Sequence, residues 1–530
     1  MATEGLTSPG TPHSSGVMDK GLKKGAIGTL SNVVIGVAST APAYSLAATL
    51  GFIVAVTGVG VHAPAVLLVS FIPMLLVASA YKFLNRADPD AGTSFAWTTR
   101  ALGPVTGWLN GWAIFLADLI VMASLADIAG IYTFKLFSWD SAASSKGAVL
   151  AAAVIWIALM TWICFRGIEL SARIQRVLLG AEVLILTLFA VVAFVKVFGG
   201  HPHAVGSVVS EETGKSELVQ YSSIKPSLDW FNPFAMEFRD LVVAILLGVF
   251  IYWGWDSGVA VNEESEDPAE GPGKAAVIST LLLVLIYLIV SAGAQAFYGP
   301  AFLENNAEDV LSALGKPVLG AVLYKLLILS VLTSASASTQ TTILPTARTT
   351  LSMAHWKAIS KLFSRIHKRY LTPTVSTLGF GFLAIVITVP LILLSESVLA
   401  DSLTAIGFPI CFYYGFTGIA CAVYYRHELF KSARNFLLLG LAPLTGGLML
   451  FGVGIYAATF YWKEANVESA PLAGITLPIW FGIGGMLVGL VLMLISMPIF
   501  REFFSRKRET APPGVLDRPP AAAIPAPVDF

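Results

Sequence analysis

Residues 250–268 read FIYWGWDSGVAVNEESEDP. An apolar segment of the kind that crosses a bilayer opens at Leu241. It is interrupted by Gly254, Asp256, Ser257 and Gly258 before the crossing is complete. An aspartate at such depth costs about 2.5–3.5 kcal/mol on insertion scales, so its presence needs a reason. Backbone that leaves the helix there is tolerated only where protein or a water-filled cavity satisfies it. Asp256 therefore marks a polar interior rather than a lipid-facing surface.

The composition agrees. The chain has 530 residues, 56% hydrophobic and 12% charged, about half the charge of a soluble domain. The formal net charge is zero, which gives no footing for nucleic acid. Cys164, Cys411 and Cys421 have no metal-ligand spacing and read as buried small hydrophobes. The seven histidines fall in tails and loops or, as His62, alone at a span edge, so no metal cluster and no membrane-embedded enzyme is expected. The first two dozen residues are polar and rich in glycine and serine, with no cleavable signal peptide expected. The reading is an all-α polytopic membrane protein.

A crossing helix needs about 20 apolar residues. Twelve segments qualify: 26–52, 61–81, 104–135, 148–165, 174–198, 238–262, 274–298, 317–345, 373–395, 398–425, 433–461 and 474–500. Residues 1–24 and 501–530 are expected to be disordered tails, since they lack the apolar residues for a core. Most of the 33 lysines and arginines fall in loops on the side of the two tails, which predicts both termini cytoplasmic; the plasma membrane is the expected location.

Two spans are irregular. The first carries GVASTAPAYS (36–45) and the sixth carries GWDSG (254–258). Broken segments at corresponding positions of two halves point to the binding site of a transporter built from inverted repeats. The separation of five fits a five-plus-five core, residues 25–430, followed by two extra helices, 431–500. A plain kink at Pro42 is the competing reading.

Three blocks carry a family resemblance. NRADPDAGTSFAWTTRALGPVTGWLNGW (85–112), FRGIELSARIQRVL (165–178) and the opening stretch resemble, in order and topology, the amino acid–polyamine–organocation permeases, which have the LeuT-type fold with discontinuous helices one and six. The resemblance covers roughly residues 25–430. It implies an alternating-access permease for amino acids or related amines, working as a monomer or homodimer, with no cofactor. The family often has Gly-Ser-Gly in helix one; here Ala38-Ser39-Thr40-Ala41-Pro42 stands instead. Proline has no N–H to donate, which keeps polyamines and decarboxylated amino acids open as substrates.

The half-helix after the first break should turn free N–H groups towards an anionic group such as an α-carboxylate. That end follows Ser39, Thr40 and Ala41. Unwound carbonyls near Gly36–Ala38 and at Tyr252–Gly254 are expected to accept from an ammonium. Phe250 stands where the resembling families place an aromatic gate, and Trp253 and Trp255 flank Gly254. Asp256 has three readings: it accepts from the unwound backbone, faces a cationic substrate, or aids ion coupling. Glu182, within the fifth span, falls where proton-coupled relatives often carry a lysine; it is a candidate to load and release a proton, or a protonated, hydrogen-bonded structural glutamate. Ser334 and Ser338 share a helical face and could join a sodium cage like that of sodium-coupled members of the fold, or simply pack closely. A proton gradient is the expected driving force, with sodium or exchange as alternatives. Asp118 and Asp127 face opposite ways, so at most one reaches the centre, with Asp118 favoured. The acidic run Glu263, Glu264, Glu266, Asp267 and Glu270 could latch onto the basic loop 357–369, or be a solvated loop.

Overall fold

A computed structural model describes residues 19–209, 216–394, 397–463, 467 and 469–511. The principal helices are α1 (Thr29–Ser39), α2 (Pro42–Ala55), α3 (Ala63–Ala87), α4 (Ser94–Leu102), α5 (Pro104–Leu136), α6 (Lys146–Arg166), α7 (Ile168–Gly200), α8 (Phe238–Tyr252), α9 (Ser257–Ala260), α10 (Gly271–Tyr298), α11 (Val310–His355), α12 (Thr374–Leu394), α13 (Val398–Tyr424), α14 (Ala442–Tyr461) and α15 (Gly485–Ile499). Among the described residues twelve spans are long and apolar enough to cross a membrane, at the places the hydropathy pattern predicts. The protein is an all-α polytopic membrane protein. The first span is α1 with α2, and the sixth is α8 with α9.

The two interrupted spans lie in the interior. In their most apolar stretches 89% and 94% of the residues are buried by protein, against 22% for the twelfth span. Irregular backbone is thus placed where other helices, not lipid, must satisfy it. α1 packs on α10 and α11, while α10 also lies along α3 and α7. α11 runs through the middle, against α2, α5 and α7, and is bent at Gly320, where φ is 79°. Its 46 residues would be about 69 Å long if straight, more than twice a bilayer core. The bend sets residues 310–319 apart, and the rest of α11 still runs well past a bilayer core. α13 packs on α5 and α14.

The tails differ from expectation. Of residues 19–24, Lys20 is buried and Leu22 sits among Ala91, Leu351 and Ile366, while Asp19, Gly21 and Lys24 are exposed. At the other end Phe503 is buried beside Phe95, and Glu509 pairs with Arg100. Short apolar and charged anchors within polar tails suffice to dock them. The rest of both expected tails lies outside the described residues. Between α7 and α8 the chain forms an antiparallel hairpin, β1 (His203–Val209) and β2 (Ser216–Ser222), with His203 opposite Ser222.

Candidate functional site

The first break is two residues wide. Ala41 adopts left-handed backbone (φ 48°, ψ 67°), which turns the chain so that Pro42 can start α2. The N–H groups of Thr40 and Ala41 both turn back to Ala38 O. Gly36 and Ala38 are helical residues of α1, so the carbonyls expected to be unwound at Gly36–Ala38 are not. The break falls later because Pro42 has no N–H to continue the ladder. In the sixth span α8 ends at Tyr252, and Trp253, Gly254 and Trp255 are non-helical. Gly254 has φ 114°, which favours glycine. A Cβ there would also lie 2.9 Å from Ser39 O.

The two breaks touch. Ser39 Oγ and Ser257 Oγ are 2.8 Å apart. Asn32 Nδ2 donates to Gly258 O at 2.9 Å. A Cβ on Gly36 would come within 2.9 Å of Trp255 O. Ser338 Oγ donates to Ser39 O at 2.7 Å. Around α2, Ala43 N–H donates to Glu182 Oε1 at 2.7 Å, and Ser334 Oγ donates to the same oxygen at 2.7 Å. Ser334 and Ser338, one turn apart on α11, thus both reach the first break, joined there by Glu182 from α7. Thr40 bonds back into α1 through Oγ1 to Val37 O.

Asp256 is held by other helices rather than by unwound backbone alone. Tyr414 OH donates to Oδ1 at 2.8 Å, while Tyr413 OH and Tyr81 OH reach Oδ2 at 3.3 and 3.4 Å. Trp255 stacks on Tyr414 with ring centroids 5.1 Å apart and meets Tyr81 edge-on. Trp253 Nε1 donates to Tyr413 OH. These tyrosines and Asn32 were missed at the sequence level. The paired tyrosines in PICFYYGFTG (409–418) and the lone asparagine in TLSNVVIG (29–36) are intramembrane polar groups that could have drawn notice. Phe250 is buried in the last turn of α8. Asp118 is buried and accepts from Thr346 of α11, whereas Asp127 is half-buried.

A cleft of about 400 Å³ opens beyond the far end of α2, lined by Phe52, Arg239, Asp240, Leu247, Asp401 and Tyr461 among others. It stops at Leu247, one helical turn short of Phe250.

The end that holds the N-terminal segment is closed by charges. Arg348 grips Glu264 with Nε and Nη2 at 2.6 and 2.9 Å, both residues buried. Lys20 pairs with Asp90 at 3.0 Å and with Glu263. Burial alone would lower the Lys20 pKa, but Asp90 and Glu263 raise it on balance. Burial likewise raises Asp90, yet Lys20 and Ser352 bring its carboxyl down to about 2. Glu263 is pushed up to about 7 by burial, with Lys20 opposing and Asp90 adding to the rise. Among the described residues the acidic run neither latches onto the basic loop 357–369 nor stays fully solvated: Lys357 pairs with Glu502, Glu270 with Arg86, and Glu264 is buried. Its partner Arg348 lies inside α11, because that helix runs on past the apolar stretch.

A family profile described as amino acid permease matches residues 27–443. Asc-type amino acid transporter 1 of Mus musculus is 25% identical over 332 residues, 61% of this chain and 58% of that protein. The branched-chain amino acid permease BcaP of Bacillus subtilis is 23% identical over 362 residues, 64% of this chain and 70% of the relative. Large neutral amino acids transporter small subunit 2 of Oryctolagus cuniculus is 23% identical over 412 residues, 73% and 71% of the two chains. The chain spans less than two thirds of the mouse relative's length.

Proposed function

This chain belongs to the amino acid permease family, and on that premise we propose that it carries an amino acid across the plasma membrane by alternating access, driven by a proton gradient. The observation that carries the reading is the contact between the two broken spans, Ser39 against Ser257 and Gly254. Two interrupted helices meeting deep in a helical bundle supply what a hydrocarbon interior lacks: backbone groups and hydroxyls for a polar cargo. On this reading α1–α13 form the five-plus-five, LeuT-type core.

Substrate lies against Gly36, Ala38, Ser39, Thr40 and Ala41 on one side and Phe250, Trp253, Gly254, Trp255 and Asp256 on the other. Phe250 gates entry from the cleft, whose floor at Leu247 is one turn away. Access from the other side requires the Lys20, Glu263 and Glu264–Arg348 contacts to part. The basic loops beside the termini support a cytoplasmic assignment for that side. Glu182 carries the coupling proton, with Ser334 and Ser338 fixing its neighbourhood at the break.

An organic amine is the second reading. Asp118, Glu182 and Asp256 bring three carboxyl groups to the spans' interior, and among the described residues none is in a salt bridge with lysine, arginine or histidine. Uptake of the twenty amino acids and several polyamines into liposomes holding the purified protein tests both. Saturable uptake of one or a few amino acids is expected. Uptake of polyamines alone would move the substrate to the second reading, and a chain that moved neither would not be a permease for these classes.

A further inference from the structure

The start of α2 has one backbone donor for an anion, and a resident carboxylate already holds it. Pro42 has no N–H. Ala43 N–H donates to Glu182 Oε1 at 2.7 Å. Tyr44 N–H goes to Ser334 Oγ at 3.3 Å, and Ser45 N–H is committed to Ala41 O at 2.7 Å. The N–H groups of Thr40 and Ala41 are spent on Ala38 O. An incoming carboxylate therefore cannot use this end of α2 unless Glu182 leaves it.

Glu182 is placed like a ligand rather than a finished structural bond. It is fully buried, and its Oε2 has no hydrogen-bond partner among the described residues. The groups that face it are the backbone of Ala43 and Tyr44 from α2, Tyr287 from α10 and Ser334 from α11. None of these is a cation. A second carboxylate beside it would meet uncompensated like-charge repulsion in a medium that screens poorly.

We propose that Glu182 is a built-in stand-in for the substrate's carboxylate, filling the α2 terminus in the empty carrier and yielding Ala43 N–H to the substrate as it takes up one proton. This rests on the permease reading above. The exchange balances. The proton comes from the aqueous side and stays on a Glu182 oxygen. The Ala43 N–H bond passes to a substrate carboxylate oxygen, and the pocket holds one negative charge before and after. Coupling then follows from competition for one donor: a carboxylate substrate binds with a proton or not at all. Glu182 is also the residue that discriminates, since an amine without a carboxylate does not contest the α2 terminus.

The test uses the full chain in nanodiscs, with the twenty L-amino acids and the amines that differ from them by loss of the carboxylate. Binding is measured between about pH 5 and pH 8, where a substrate's own α-groups keep their charge. The apparent Kd of a bound amino acid should rise by up to about tenfold per pH unit on the alkaline side of the Glu182 titration. The matching amine should change by less than about twofold, and Glu182→Gln should flatten the amino acid profile. Wild-type amino acid binding that is flat with pH overturns the inference alone and leaves the permease reading standing. So does binding of amines with no binding of amino acids, or an unchanged slope in Glu182→Gln. Absence of amino acid binding and of uptake at every pH overturns both.

Discussion

Two buried polar regions of this protein solve the same problem differently. At the end holding the N-terminal segment, acids meet bases: Glu264 pairs with Arg348, and Asp90 and Glu263 share Lys20. At the meeting of the two breaks, the acids Asp256 and Glu182 meet tyrosine, serine and backbone donors, and among the described residues no basic side chain pairs with them. A matched pair is complete and resists separation. An acid held only by neutral donors keeps its charge available to a proton or a cation. On the proposed permease reading, the difference separates a region that holds shut from one that exchanges partners.

The largest effect should come from the matched region. Arg348→Ala leaves Glu264 charged and buried, at a cost of about 3–5 kcal/mol. Arg348→Met with Glu264→Met removes both charges and should recover most of that loss in a melt of the detergent-solubilised protein. If the single and double variants melt together, the pair is not what closes this end.

Next comes Tyr414→Phe, which removes the shortest of the tyrosine hydroxyl contacts to Asp256 while keeping the ring stack on Trp255. A hydrogen bond to a charged group is worth about 1.5–3 kcal/mol. The loss should appear chiefly in transport, as a lower maximal rate. An unchanged rate would remove Asp256 from the working part of the molecule.

pH sharpens the comparison further. Because Glu263 is pushed up to about 7 by burial, the closed arrangement holds its proton more tightly than the opened chain does. Its closure is therefore strongest at acid pH and weakens as pH rises from the ordinary carboxylate range through about 7. Asp90, brought down to about 2, acts in the opposite sense but loses its contribution only in strong acid. Labelling of a cysteine placed at Ser39, from the side of the termini and divided at each pH by its labelling in the unfolded chain to remove the thiol's own titration, should increase between pH 5 and pH 8 and lose that dependence in Glu263→Gln. The smallest effect is expected from Ser257→Ala, about 0.5–1.5 kcal/mol of stability, since Ser39 keeps its carbonyl bond to Ser338.

The same contrast explains what could be read in advance. The twelve spans and both breaks are written locally: apolar runs of sufficient length, GVASTAPAYS and GWDSG. Ser39, Gly254 and Asp256 were legible because each interrupts such a run. Their partners were not. Tyr81, Tyr413 and Tyr414 converge on Asp256 from α3 and α13, more than 150 residues away in each case. The pair Tyr413–Tyr414 marks a polar spot within its span, but nothing local says that it or Tyr81 faces Asp256. Arg348 lies beyond the expected span 317–345 because hydropathy fades before α11 ends, and Lys20 sits in a stretch with a tail's composition. Glu182 was conspicuous as an acid in GAEVLILTLF, but that it lies on the α2 terminus depends on how α7 packs, which periodicity does not reveal.

The most direct measurement is uptake into liposomes under an imposed proton gradient, comparing wild type with Glu182→Gln. Gradient-driven accumulation of an amino acid is expected in wild type, and at most gradient-independent equilibration in the variant. Equal accumulation in both, or uptake indifferent to the gradient, would contradict that expectation.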